Sequence, residues 1–253
     1  MLCVSNVRKA FGPDESAYVA LDGIDLHINE GEIVCLLGPS GCGKSTLLNI
    51  ISGFEAPTSG QVTFRGEPIT GAGRERMMFF QDAGAALLPW LTVEENVIFA
   101  LRMRKYPKSE WKERVEKYLS MVNLNQHKEK LPSQLSGGMR QRLQIARALS
   151  VEPEVLLMDE PFAALDAMTK RRMHEILLEI WRKTRRTIVF VTHDISEAIT
   201  LGDKICVMSV GPRSRILKTI PVDIPRPRDL TDPRAGSMYR EIETLLAPDL
   251  SRL

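Results

Sequence analysis

An unbroken apolar run, Ile33–Leu37, leads directly into Gly38-Pro-Ser-Gly-Cys-Gly43-Lys44-Ser45, after which Thr46–Ser52 takes up helical spacing. A run that is apolar at every position is a strand buried on both faces, as in a parallel sheet. Strand, glycine loop and helix in that order form a cradle for phosphate. The glycines let consecutive backbone N–H groups face one anion, and the helix start adds the positive end of its dipole. Lys44 neutralises β/γ-phosphate charge, and Ser45 offers a hydroxyl to Mg2+. The expected nucleotide contacts are therefore Gly38, Pro39, Ser40, Gly41, Cys42, Gly43, Lys44, Ser45 and Thr46. An adduct on Cys42, inside the loop, is expected to block nucleotide entry.

The rest of the chain reads as two kinds of sequence around this motif. Leu2–Val7, Ile24–Ile28 and Gln61–Phe64 alternate like strands of an antiparallel layer, separated by turn residues. From about residue 82 to 149 the character is helical and rich in Lys, Arg and Glu, with Val93–Arg104, Lys108–Val122 and Met139–Ala148 as its helices. Strands and helices then alternate: Val155–Met158, Met168–Thr184, Thr187–Val191, Ile195–Leu201, Ile205–Val210 and Ile216–Ile220. That alternation predicts an α/β fold with a parallel sheet. One domain is expected, with a nucleotide-binding core over 1–81 and 150–220, a helical subdomain over 82–149, and a proline-rich tail over 221–253. The tail carries one helix, Arg234–Leu246.

Composition narrows the class. With 253 residues, 43% hydrophobic and 26% charged, the chain has ordinary globular proportions, and a net charge of +2 gives no global pull toward nucleic acid. Its apolar runs are strand-length, far short of the ~20 residues of a membrane-spanning helix. No leader pattern follows Met1. Cys3, Cys35, Cys42 and Cys206 lack CxxC spacing and read as free thiols.

Two further motifs carry chemistry. Val155-Leu-Leu-Met-Asp159-Glu160 is an apolar strand ending in two carboxylates. Asp159 at its tip is placed to hold Mg2+, while Glu160 points elsewhere and can act as general base on an attacking water. Downstream of the phosphate loop, Leu135-Ser136-Gly137-Gly138-Met139 opens a helix, with Ser136 as N-cap and Met139, Leu143, Ala146 and Leu149 at helical spacing. The two glycines leave bare N–H groups at the helix tip, which suits a γ-phosphate approached from outside.

The order phosphate loop, Gln81, Leu135-Ser-Gly-Gly-Met139, Asp159-Glu160, Ala164-Leu165-Asp166, His193 resembles the ATP-binding subunit of an ABC transporter over nearly the whole chain. The resemblance implies a P-loop NTPase core with an antiparallel β layer and an inserted helical subdomain. It also implies ATP and Mg2+ as ligands and an ATPase activity. Two copies would dimerise head to tail, with each ATP between one phosphate loop and the partner's Ser136-Gly137-Gly138. By the same resemblance Gln81 contacts Mg2+ and the attacking water, and His193 bonds the γ-phosphate. Asp166 communicates across the dimer. Phe11 stacks on adenine, with Tyr18 as the competing aromatic. Ala164 stands where the family often has Ser, and Met139 where Gln is common.

Leu87-Leu-Pro-Trp90-Leu-Thr-Val93 falls where the family receives a short cytoplasmic helix of a permease; the other reading of Trp90 is packing within the helical subdomain. Phe80-Gln-Asp, Gln134–Arg142, Pro161–Asp166 and Asp223-Ile-Pro-Arg-Pro-Arg228 are most similar to the nitrate/sulfonate/taurine subgroup of bacterial importers. That similarity implies a separate integral-membrane permease, an extracytoplasmic solute-binding protein, and a place on the cytoplasmic face of the cell membrane. The near-neutral charge argues against a nucleic-acid partner. Two other readings use the same residues: an ABC-type ATPase without transport, and an exporter. The first usually carries long coiled-coil inserts or two nucleotide domains, neither of which this chain shows. Transport direction is not written in an ATPase.

Overall fold

Ile33–Leu37 (β3) is buried at every position because each of its faces meets a different layer. Val34 and Leu36 share an apolar cluster with Leu47, Leu48, Leu157 and the strands Leu2–Phe11 (β1) and Tyr18–Ile28 (β2). Ile33, Cys35 and Leu37 face a second cluster with Leu156, Phe190, Leu177 and Ile199. The computed structural model describes residues 1–13, 17–80 and 86–250.

β1 and β2 join Ser59–Phe64 (β4) and Glu67–Pro68 (β5) in a four-stranded antiparallel sheet, ordered β2-β1-β4-β5. The second sheet is ordered β10-β9-β3-β8-β7-β6, where β6 is Arg76–Phe79, β7 Val155–Asp159, β8 Thr187–Thr192, β9 Lys204–Met208 and β10 Ile216–Pro221. All its pairings are parallel except that of β10, which closes one edge antiparallel to β9. Helix α1 (Lys44–Ser52) follows β3. Helices α2 (Val93–Met103), α3 (Lys108–Met121) and α4 (Gly137–Ser150) lie between β6 and β7 in sequence. Helix α5 (Ala167–Thr184) precedes β8, α6 (Ile195–Leu201) follows it, and α7 (Pro233–Leu250) closes the chain.

Two differences from the sequence reading have physical causes. β1 and β2 run on past the expected ends, to Phe11 and back to Tyr18, because register shifts along the pair keep the backbone ladder intact after the apolar alternation stops. β6 was not expected at all. It opens with Arg76, whose guanidinium is buried but satisfied by the Gly71 carbonyl (2.7 Å) and Glu75, so a charged residue starts this edge strand.

The tail is anchored by its arginines. Arg228 donates to the carbonyls of Ile199 and Ile224, and Arg226 pairs with Asp203 while its guanidinium lies 4.5 Å from the Trp181 ring centroid. The orphan carbonyls at the end of α6 thereby find donors.

Candidate functional site

In the sheet order the strands β3, β8 and β7 are neighbours, so the loops after their carboxyl ends converge on one crevice. The loop after β3 is the glycine loop, the loop after β8 holds His193, and β7 ends on Asp159 with Glu160 next. A cavity of about 380 Å³ lies there, lined by Ser40, Gly41, Gly43, Lys44, Ser45 and Thr46 from the loop, Asp159 and Glu160 from β7, and Phe11, Tyr18 and Ala20 from the antiparallel layer. That size is in the range of small-molecule sites.

The loop takes its shape from one residue above all. Gly43 caps α1 at φ 94°, in the left-handed region, and an added Cβ would come within 2.8 Å of Leu21. Lys44 begins α1 and is only 4% exposed; its Nζ donates to the carbonyls of Gly38 (2.7 Å) and Pro39 (2.8 Å) and lies 3.8 Å from Glu160 Oε1. Ser45 Oγ donates to Asp159 Oδ1 at 3.0 Å, so a hydroxyl and a carboxylate already share one corner. Burial, with Glu160 adding to it, raises the Asp159 carboxyl above its ordinary range against the Ser45 hydrogen bond. A charged Asp159 there is short of cation, and a hydroxyl with a carboxylate is the hard oxygen donor set that suits Mg2+.

Glu160 is held from two sides. His193 Nδ1 donates to its Oε2 at 2.9 Å, and Lys44 faces its Oε1. Its backbone is left-handed, φ 41°, with its N–H bonded to the Val191 carbonyl (3.2 Å). This conformation turns the carboxylate away from the strand direction that Asp159 follows.

Several expected residues stand elsewhere. Cys42 is 1% exposed and burial raises its thiol, so only its backbone is available to a phosphate. We expect Cys3, which is half-buried, to be alkylated well before Cys42 in the native protein, as peptide mapping of a maleimide time course would show; equal rates would contradict the burial. Gly38 and Pro39 use their carbonyls on Lys44. Gln81 lies outside the described residues. Phe11 and Tyr18 are cross-strand partners, both exposed at the cavity, and Lys9 Nζ sits 4.9 Å from the Phe11 ring.

Ser136, Gly137 and Gly138 do not line this cavity. Ser136 caps α4, accepting from the Met139 N–H at 3.3 Å. Gly138 is buried, and a Cβ on it would stand 2.7 Å from Thr169 of α5. The second glycine therefore serves close packing as well as a bare helix tip. Asp166 is the N-cap of α5, and hydrogen bonds from Thr169 hold its carboxyl below the ordinary range.

Two buried amides escaped the sequence reading. Gln144 of α4 donates to the Phe80 carbonyl (3.2 Å), tying the Ser136 helix to the residue before Gln81. Asn96 of α2 bonds the carbonyls of Leu88, Leu91 and Thr92 and accepts from the Leu88 N–H. It thereby sets the loop that leaves Trp90 71% exposed, against packing of Trp90 within the helices.

The sequence model described as ABC transporter matches residues 21–163. The chain is similar to the bicarbonate transport ATP-binding protein CmpD of Synechococcus elongatus, 47% identical over 233 residues, 90% of this chain and 82% of that one. It is also similar to the nitrate import ATP-binding protein NrtD of Synechococcus elongatus, 45% identical over 241 residues, 93% of this chain and 87% of that one. Among solved structures, a dimeric ATP-binding cassette in a post-hydrolysis state, bound to ADP and phosphate, matches with a TM-score of 0.74 and 34% identity. That match covers 88% of this chain and 99% of the cassette.

Proposed function

The chain belongs to the ABC transporter family, and on that premise we propose that it is the ATP-hydrolysing subunit of an importer for a small oxyanion of the nitrate or bicarbonate type. The observation that carries the catalytic part is the meeting of Lys44, Ser45, Asp159 and Glu160 around one cavity, with His193 bonded to Glu160, while the bare tip of α4 stays outside it. A site that gathers a phosphate loop, a carboxylate pair and a histidine but lacks a second phosphate clamp among the described residues is what a head-to-tail dimer would complete.

In this reading the phosphates of ATP draw Lys44 off the Gly38 and Pro39 carbonyls, and His193 turns to the γ-phosphate. Both partners of Glu160 are then engaged elsewhere, and its carboxylate is free to accept the proton of the attacking water. The water oxygen bonds to γ-phosphorus as the bond to the β-phosphate oxygen breaks, giving ADP and phosphate. Ser45 and Asp159, with Gln81, would hold Mg2+, which supplies charge neutralisation to the phosphates. Phe11, with Tyr18 opposite, would stack the adenine. Ser136, Gly137 and Gly138 of the partner copy would grip the γ-phosphate, and Asp166 would face that junction. The core over 1–81 and 150–220 would then move against the helical part over 82–149 as phosphate leaves.

No helix among the described residues is long and apolar enough to cross a membrane; in this reading translocation is the work of a separate permease. The subunit would work on its cytoplasmic face, with a solute-binding protein on the other side. Trp90 and the stacked rings of Phe54 and Phe80 (6.5 Å between centroids) are exposed apolar groups suited to receive a permease helix. Replacing a buried aromatic anchor costs about 2 kcal/mol or more. Trp90→Ala should therefore weaken permease binding roughly 30-fold, while nucleotide affinity of the isolated subunit stays within about 2-fold. Undiminished permease binding in a pull-down titration would refute that surface. The solute is tested by vesicles carrying the whole complex: ATP-driven accumulation of labelled nitrate or bicarbonate is expected, and ATP hydrolysis without uptake of either would contradict it.

A further inference from the structure

Behind His193 the structure holds a buried polar network that the hydrolytic reading does not use. Glu197, on the first turn of α6, is 6% exposed. One of its oxygens accepts from His174 Nε2 at 3.0 Å and lies 3.5 Å from Lys170 Nζ; both donors belong to α5. The other accepts from the Thr192 hydroxyl. Burial alone would raise this carboxyl, yet the bonds from His174 and Thr192 and the charges of His174 and Lys170 hold it below the ordinary range.

The same Thr192 hydroxyl accepts from the Asp194 N–H at 3.0 Å, and Asp194 in turn caps α6 through the N–H groups of Ser196 (2.8 Å) and Glu197 (3.3 Å). His193 is thus bracketed: the residue before it and the residue after it are both fixed by one hydroxyl, and that hydroxyl is fixed by Glu197. Lys170 and His174 stand one and two turns along α5 from its N-cap Asp166, with the Lys170 N–H on the Asp166 carbonyl (2.8 Å). The network therefore joins the loop carrying His193 to the helix that begins at Asp166.

We propose that Glu197 is a positioning residue for hydrolysis: by holding the Thr192 hydroxyl against His174 and Lys170 of α5, it sets the place from which His193 acts on Glu160 and on the γ-phosphate. The inference rests on the reading of His193 given above. His193 is itself half-exposed, and among the described residues its ring bonds only Glu160, so the backbone that carries it is fixed by its neighbours in the chain. A shift of about 1 Å in a group at the reacting centre can cost on the order of 100-fold in rate. A buried carboxylate that accepts two hydrogen bonds and faces an ammonium is also costly to leave without them, which keeps the arrangement single-valued.

The test is steady-state ATPase kinetics on the full chain, with Tm measured alongside. Glu197→Ala should lower kcat roughly 10- to 100-fold with KM for ATP within about 2-fold. Thr192→Val, which keeps shape but removes the hydroxyl, should show a similar loss, and the double variant should lose no more than either single one. Glu197→Gln keeps an acceptor for Thr192 and should recover most of the rate. Ile199→Ala, buried on the same helix, should lower Tm but leave kcat near the native value. Native kcat in Glu197→Ala or Thr192→Val, beside a slow His193→Ala, overturns the proposal, as does an equal kcat loss in Ile199→Ala. Should Glu197→Ala not fold, Thr192→Val decides. A native rate in His193→Ala would instead overturn the reading on which it rests.

Discussion

Glu160→Gln is expected to lower ATP hydrolysis roughly 100- to 10,000-fold, the range over which a positioned general base acts. The carboxylate lies between Lys44 Nζ at 3.8 Å and His193 Nδ1 at 2.9 Å, and an amide in its place can neither accept a proton from water nor repel the γ-phosphate. Nucleotide affinity should therefore be kept or slightly raised, because the lost charge faced the phosphates. With the γ-phosphate intact, the contact between two copies should persist. Rapid-quench kinetics and equilibrium nucleotide binding check the two halves separately. A native hydrolysis rate would require a different base, and lost binding would mean that Glu160 holds nucleotide rather than water.

Lys44→Ala is expected to fail earlier in the cycle. Hydrogen bonds to charged groups contribute about 1.5–3 kcal/mol, so ATP affinity should fall roughly 10- to 150-fold. The effect should be larger for ATP than for adenosine, which has no phosphates for Lys44 to meet. The substitution also leaves the Gly38 and Pro39 carbonyls without their donor and removes a cation beside Glu160 and the half-buried Asp159. The empty protein should lose stability as pH rises through the raised titration range of Asp159, because its neutral form is the one favoured on folding. Isothermal titration with ATP and adenosine tests the first point, and equal losses for both ligands would contradict it.

The glycine loop and the two carboxylates were legible in sequence because each depends on local geometry: a buried strand, an abrupt turn, a helix start. The same holds for the helix cap Ser136, whose side chain reaches only three residues ahead. What stayed hidden depends on distant partners. Arg76 opens a strand because Gly71 and Glu75 happen to satisfy it, which no periodicity reveals. Asn96, Gln144 and Glu197 interrupt apolar helix faces and look like flaws in a pattern until the carbonyl, hydroxyl or imidazole opposite is known. Gly138 was read through its missing side chain, yet its packing on Thr169 needed the neighbouring helix to be seen.

The central claim is that nucleotide is closed between two copies of this chain, one supplying the Lys44 loop and the other the tip of α4. Sedimentation equilibrium of Glu160→Gln with saturating Mg-ATP, alone and with the permease present, tests it most directly. A nucleotide-dependent doubling of mass that Ser136→Glu abolishes is the predicted result. A variant that binds ATP and remains monomeric in both settings would contradict the account.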